Sequence, residues 1–211
     1  MLPRGGPEHL TGGATVRQLR TGAGGWRYSA DMNEPVLPAT EPVLDYSSAT
    51  AELPKAELLQ ELRRRVLLLV EGERDWLANL GNAAAEIFAL LPDVNWVGWY
   101  VRRGDELVLG PFQGRPACVR IPFGRGVCGT AAATRETQVV PDVSEFPGHI
   151  ACDVRSRSEI VVPVVVNGET VAVLDLDSPE TGTFTHEDRI GLEALVRELS
   201  PHVDWERVLN S

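Results

Sequence analysis

The chain has 211 residues, 43% of them hydrophobic and 24% charged, the balance of a soluble globular protein rather than a disordered one. Its net charge of −10 argues against a nucleic-acid surface, and its longest apolar runs, Val66–Val70 and Ile160–Val166, fall far short of the ~18 residues of a membrane span. Residues 1–30 hold four arginines and no apolar signal core, so the expected setting is a reducing cytoplasm, where the three cysteines point to redox or catalytic use.

Residues 1–53 are rich in Gly, Pro, Thr and Ser and keep no period of 2 or 3.6, which predicts a disordered lead-in. Arg4, Arg17, Arg20 and Arg27 against Glu8 and Asp31 give residues 1–31 a net +2, leaving −12 for the rest. Met32 opens a change of composition, so a translation start there is an alternative reading of this segment. A single domain is expected over 54–207. Leu58, Leu59, Leu62, Val66 and Leu69 recur at helical spacing, and Leu77, Leu80, Ala84, Ile87 and Leu90 predict a second helix from about Glu73 to Leu90. Asn95–Val101, Glu106–Leu109 and Cys118–Pro122 have strand composition. Gly124–Arg135 predicts a short helix entered through a glycine turn, Val139–Val140 a brief strand, and Asp142–Ser158 a long loop. Glu159–Val166 and Thr170–Leu176 flank Asn167–Gly168, a strong hairpin signal. Thr185 with Glu187 and Asp188 caps a last helix whose Ile190, Leu192, Leu195, Val196 and Leu199 should face the core. The sum is an α+β fold: an antiparallel central sheet with its terminal helices on one face.

The chemistry-bearing residues are few. Cys152 lies in the polar loop near Arg155 and Arg157, whose charge favours a thiolate, and Cys128 sits near a helix start, which also lowers a thiol pKa. Cys118, placed on a strand, fits a small buried hydrophobe. His149 and Cys152 are three apart, but neither Cys118 nor Cys128 has a close cysteine partner, so the spacing speaks against structural zinc and no metal is expected. Asp175 and Asp177 alternate along a strand and share a face, where two carboxylates raise one another's pKa. Glu159 depends on register. A two-residue Asn167–Gly168 loop sets it opposite Leu176, away from the aspartates, and one extra loop residue sets it opposite Asp177. We expect the second arrangement. Trp96 and Tyr100 share strand parity and could wall a pocket or simply fill the core.

NWVGWY, Cys118, GRGVCGTAA, the loop ending HIACD, Glu159, VNGETVAVLDLDSP and FTHED together resemble the free methionine-(R)-sulfoxide reductases, stand-alone GAF-domain enzymes, from about Leu58 to Val203. The resemblance implies a GAF fold and reduction of free L-methionine (R)-sulfoxide to methionine, with no metal or organic cofactor. It maps the nucleophile to Cys152 and the resolving thiol to Cys118, with Cys128 a second candidate for either. It gives Glu159, Asp175 and Asp177 the substrate's ammonium and the sulfoxide oxygen, and Trp96 and Tyr100 the methyl-sulfur end. Thioredoxin is the implied reductant, no nucleic acid or membrane is involved, and a homodimer stays open. Two other readings are a non-catalytic GAF module that binds a small ligand and a redox-sensing module that turns nothing over.

Overall fold

The structure, a computed structural model, describes residues 17–20, 26–29, 53–150 and 153–210. The chain divides into two units, Met1–Val43 and Leu44–Ser211. In the first, β1 (Arg17–Arg20) and β2 (Trp26–Ser29) form an antiparallel pair with Arg17 opposite Ser29. The remaining lead-in, for which disorder was expected, lies outside the described residues.

The second unit begins with α1 (Lys55–Val70), whose Leu58, Leu59, Leu62, Val66 and Val70 are buried at the expected spacing. α2 (Trp76–Leu90) starts later than the sequence suggests, because Asp75 is its cap and accepts from the backbone N–H groups of Leu77 and Ala78 at 3.0 and 3.1 Å. Its buried stripe is Leu80, Ala83, Ala84, Ile87 and Leu90; Leu77, expected in the core, sits in the first turn and is exposed. Then follow β3 (Trp96–Arg103), β4 (Glu106–Gln113), β5 (Arg120–Pro122), α3 (Gly126–Thr134) and β6 (Gln138–Val140). After a loop holding one 3-10 turn come β7 (Ser158–Val166), β8 (Glu169–Ser178), α4 (His186–Leu199) and α5 (Trp205–Asn210). β5 is shorter than expected, and Cys118 lies in the β4–β5 connection rather than on a strand. Thr185 and Asp188 form a capping box at the start of α4, and Lys55 Nζ joins it 2.7 Å from Asp188 Oδ2, tying the first turn of α1 to that of α4. Ile190 is exposed, against expectation: the buried residues of α4 are Asp188, Leu192, Ala194, Leu195, Val196 and Leu199, and Ile190 falls outside that face. No described helix is long and apolar enough to cross a membrane.

The six strands pair antiparallel in the order β5-β4-β3-β8-β7-β6. Strand alternation sends Val97, Trp99, Val101, Ile160, Val162, Leu174 and Leu176 to one face, where α1, α2, α4 and α5 cover them in the main core. The other face carries Trp96, Tyr100, Val161 and Val173 under α3, in a second and smaller core. At about 1.5–3 kcal/mol per large apolar side chain buried, the helix-covered face carries most of the stability.

The hairpin of β7 and β8 settles the register. Val166 pairs with Glu169 across a two-residue turn in which Asn167 and Gly168 both have positive φ, 52° and 80°. The expected extra loop residue is therefore absent. The shift comes instead from β8, where Val165 pairs with Thr170 but Val164 pairs with Ala172, so that Val171 is a one-residue bulge. From there on Glu159 is opposite Asp177, the arrangement the sequence analysis favoured, reached by another route.

Candidate active site

On β8, Asp175 and Asp177 point to the α3 side, opposite Gly98 and Trp96 of β3, and Glu159 joins them from β7. Gly98 is required here: a Cβ would lie 2.5 Å from both the Trp96 ring and Phe112 Cβ. The fourth group comes from α3. Gly126, with φ +61°, turns the chain into the helix, and Gly129 lets the helix lie on the Pro122 carbonyl, which a Cβ would strike. The result sets Cys128 Sγ 3.8 Å from Glu159 Oε1. From the other side His149 Nε2 reaches within 3.8 Å of Glu159 Oε2. These groups line a narrow cleft with Ile150, Asp153 and Ser156, and among its described lining residues none is Lys or Arg.

The electrostatics follow from that composition. Burial drives Asp175 up to about 7, against hydrogen bonding from Cys128 and Glu159 that pulls it down, and its Oδ1 is buried with no hydrogen-bond partner. Glu159 rises well above the usual carboxylate range through burial and then through Asp175 and Asp177. Asp177 rises for the same reasons, burial first and Asp175 second, and Ser156 offsets only part of it. The site thus holds carboxyl groups that keep protons near neutral pH. Burial lowers the His149 pKa, which favours the uncharged ring beside Glu159.

The cysteines depart from their sequence-based descriptions. The Cys128 thiol is pushed up, first by complete burial and then by Asp175 and Glu159, so its place in the first turn of α3 does not activate it. A short helix's N-terminus is worth a fraction of the desolvation it would have to overcome. Cys118 is half-buried in its connection and disulfide-bonded, and its carbonyl accepts from the Tyr100 hydroxyl at 3.0 Å. Cys152 lies outside the described residues. The two arginines invoked for it are engaged elsewhere: Arg155 Nη2 is 2.7 Å from Asp153 Oδ2, and Arg157 Nη2 is 3.7 Å from Asp142 Oδ2.

Trp96 and Tyr100 are buried on the site's face and stack at 5.9 Å, with Trp96 also stacked on Phe112 at 5.6 Å. The Trp96 indole N–H donates to the Arg115 carbonyl at 3.0 Å. Neither ring is among the cleft's lining residues, although burial and then the Asp175 charge push the Tyr100 phenol upward. His149 and Ser156 are the contributors that sequence reasoning did not assign to this site. The sequence offers His149 only as a zinc ligand, on its spacing from Cys152, a use the cysteine spacing speaks against, and Ser156 carries no signal of its own. A cation could be held by Cys128, Glu159 and Asp175, whose donor atoms lie within 4.8 Å of one another. A larger groove of about 710 Å³ between β7 and α4, lined in part by Arg135, Val164, Arg197 and Trp205, brings together no thiol and no convergent carboxylates.

A family model for the GAF domain matches residues 56–203. The free methionine-R-sulfoxide reductase of Escherichia coli is 52% identical over 145 residues, 69% of this chain and 88% of that protein. The reductase of the same name from Saccharomyces cerevisiae is 46% identical over 161 residues, 72% of this chain and 89% of that protein. Among solved structures, free methionine-R-sulfoxide reductase from Neisseria meningitidis in complex with its substrate superposes with a TM-score of 0.73 at 44% identity, covering 78% of this chain and 97% of that one. The reduced form of the Staphylococcus aureus protein gives 0.66 at 47% identity, covering 68% and 94%.

Proposed function

The chain belongs to the free methionine-R-sulfoxide reductase family of GAF domains, and from that premise we propose that it reduces free L-methionine (R)-sulfoxide to L-methionine by thiol chemistry at the Cys128–Glu159–Asp175–Asp177 cleft. The observation that carries the proposal is the convergence of three carboxyls, Glu159 and Asp175 buried and Asp177 half-buried, with no basic side chain among the described residues of the lining. A free amino acid brings the missing cation as its α-ammonium, and the orphaned Asp175 Oδ1 is a ready acceptor for it. A residue inside a polypeptide has no such ammonium, which gives the preference for the free amino acid a physical cause.

The same carboxyls serve the chemistry. Thiolate attack on a sulfoxide sulfur is slow unless the departing oxygen is protonated, and a carboxyl that holds its proton to about pH 7, as Asp175 does, can supply it. In the proposed sequence the Cys152 thiolate attacks sulfur, the S–O bond breaks as its oxygen passes to the cysteine, and methionine leaves beside a cysteine sulfenic acid. The Cys118 thiol then condenses with that sulfenic acid, forming a disulfide and releasing water. A dithiol protein such as thioredoxin, present in a reducing cytoplasm, returns both cysteines to thiols. Cys128, buried and with a raised pKa, is auxiliary to this exchange. Trp96 and Tyr100 would shape the methyl-sulfur end.

The test is the production of methionine from each epimer of the free sulfoxide with dithiothreitol as reductant. Turnover of the free R epimer, with the S epimer and N-acetylmethionine sulfoxide left unreacted, is expected. Comparable turnover of the N-acetylated compound would remove the ammonium contact, and absence of turnover of either free epimer would leave the fold with a different task.

A further inference from the structure

Cys128, Glu159 and Asp175 come from three different elements, α3, β7 and β8, and are all buried. Their sulfur and carboxylate oxygens nonetheless fall within 4.8 Å of one another. Asp175 is 5% exposed, and its Oδ1, inside the protein, meets no hydrogen-bond donor. No lysine or arginine among the described lining residues is present to balance the two acids. A sulfur, two carboxylates and an unmet acceptor are what a cation needs, and the sulfur decides which kind.

We propose that the Cys128–Glu159–Asp175 trio binds a thiophilic divalent cation of the zinc or cadmium class, and that this cation blocks the cleft against its organic substrate. Magnesium and calcium take oxygen ligands and would leave the thiol unused, whereas zinc and cadmium accept a thiolate together with carboxylates. Around zinc, with bonds of roughly 2.0–2.3 Å, donor atoms in a tetrahedron stand roughly 3.3–3.7 Å apart, so the trio needs to draw in by about 1 Å. Cadmium, the larger ion, needs less. On binding, the Cys128 S–H bond breaks and the O–H bonds of Glu159 and Asp175 break wherever those acids are protonated; the protons leave to solvent, and the sulfur closes on the metal with both acids bound as carboxylates. No electron is transferred. The reduction proposed above needs no metal, so the ion acts as an inhibitor rather than a cofactor. Only the competition with substrate rests on that functional reading.

The experiment uses the full chain as the Cys118→Ser/Cys152→Ser double variant, in which Cys128 is the remaining thiol, reduced with a phosphine and freed of it. Titration with cadmium chloride is expected to raise an ultraviolet sulfur-to-metal charge-transfer band that saturates at about one equivalent. Adding Cys128→Ser should abolish the band. Adding Asp175→Asn instead should leave the band at saturation while weakening affinity roughly tenfold or more, since even the loss of a group hydrogen-bonded to a metal ligand costs about that much. Absence of the band in the double variant, its survival in the Cys128→Ser protein, or an Asp175→Asn affinity equal to the parent's would each overturn the site. A final arm adds excess free methionine sulfoxide, which is expected to raise the apparent Kd for cadmium. If the band forms and the sulfoxide leaves Kd unchanged, the metal site stands and the assignment of this cleft to the sulfoxide fails, so the two can fall separately.

Discussion

The two faces of the sheet bury charge in opposite ways. Where α1 and α2 pack, the buried charges are paired: Arg65 Nη1 lies 3.6 Å from Glu86 Oε1, and Arg65 Nε lies 2.7 Å from Glu61 Oε1. Under α3 stand three carboxyls of one sign, Glu159 and Asp175 buried and Asp177 half-buried, and the described lining holds no basic partner. The first face follows the rule that a buried charge is matched, and what faces it from the strands is apolar. The second breaks that rule, and its acids hold their protons in consequence. Neighbours on one strand belong to different regimes. Leu174 and Leu176 are core, and Asp175 and Asp177 are site.

Substitutions on one face should therefore change chemistry and on the other stability, and the largest expected effect is purely chemical. In a single turnover without reductant, Cys152→Ser should yield no methionine, while Cys118→Ser should still yield about one equivalent, because the sulfenic acid forms before resolution is needed. Methionine quantified after rapid quench decides it. One equivalent from Cys152→Ser, paired with an inactive Cys128→Ser, would transfer the nucleophile's role to Cys128. Next comes Asp175→Asn, for which the two properties should move in opposite directions. Its kcat/KM should fall roughly 10²-fold or more through loss of an acid and an ammonium partner. Its stability should rise at high pH. The unfolded chain releases this proton near 3.8 and the folded chain near 7, so between those values the folded state binds more protons and wild-type stability falls as pH rises. That penalty, about 4 kcal/mol at most, is complete above pH 7 and absent below pH 4. Denaturant melts of wild type and variant should converge at pH 4 and separate at pH 8; parallel curves would place the charge in water. Leu174→Ala, one residue away, should cost about 2–5 kcal/mol at every pH while the folded fraction keeps its kcat. The smallest effect is expected for removal of residues 1–53. A melting-temperature change beyond about 2–4 °C, or lost activity, would make that segment part of the domain.

How far these regimes were legible in the sequence depends on whether a signal was local. The Thr185 cap and the alternation of Asp175 with Leu176 rest on backbone sterics or on period alone, and each stands in the structure as read, whereas the Asn167–Gly168 hairpin keeps its two-residue turn in place of the longer loop expected. Ile190 and Leu77 were misplaced because hydrophobicity identifies a helix more securely than it identifies which turn meets a neighbour. The environment of the thiols was not legible at all. Whether Arg155 serves a cysteine or Asp153, and whether Cys128 meets water at a helix start or two acids in a dry cleft, depends on residues brought from elsewhere in the fold. Cys118 was assigned to a strand on composition, and the strand begins two residues later.

The bulge at Val171 makes the hairpin behave like a ruler with one offset division. Its turn end and its site end are each regular, yet they are out of phase by one residue, so which residues share the site's face is set by a count along the chain. Taking Val171 into the ladder opposite Val164 would leave every acid in the sequence and turn Glu159 from Asp177 toward Leu176. Deleting Val171 would instead straighten β8 and leave Glu159 opposite Asp177 below the same turn. One residue left out of the pairing, rather than the type of any side chain, is thus what lets a two-residue turn and the three carboxyls share one hairpin.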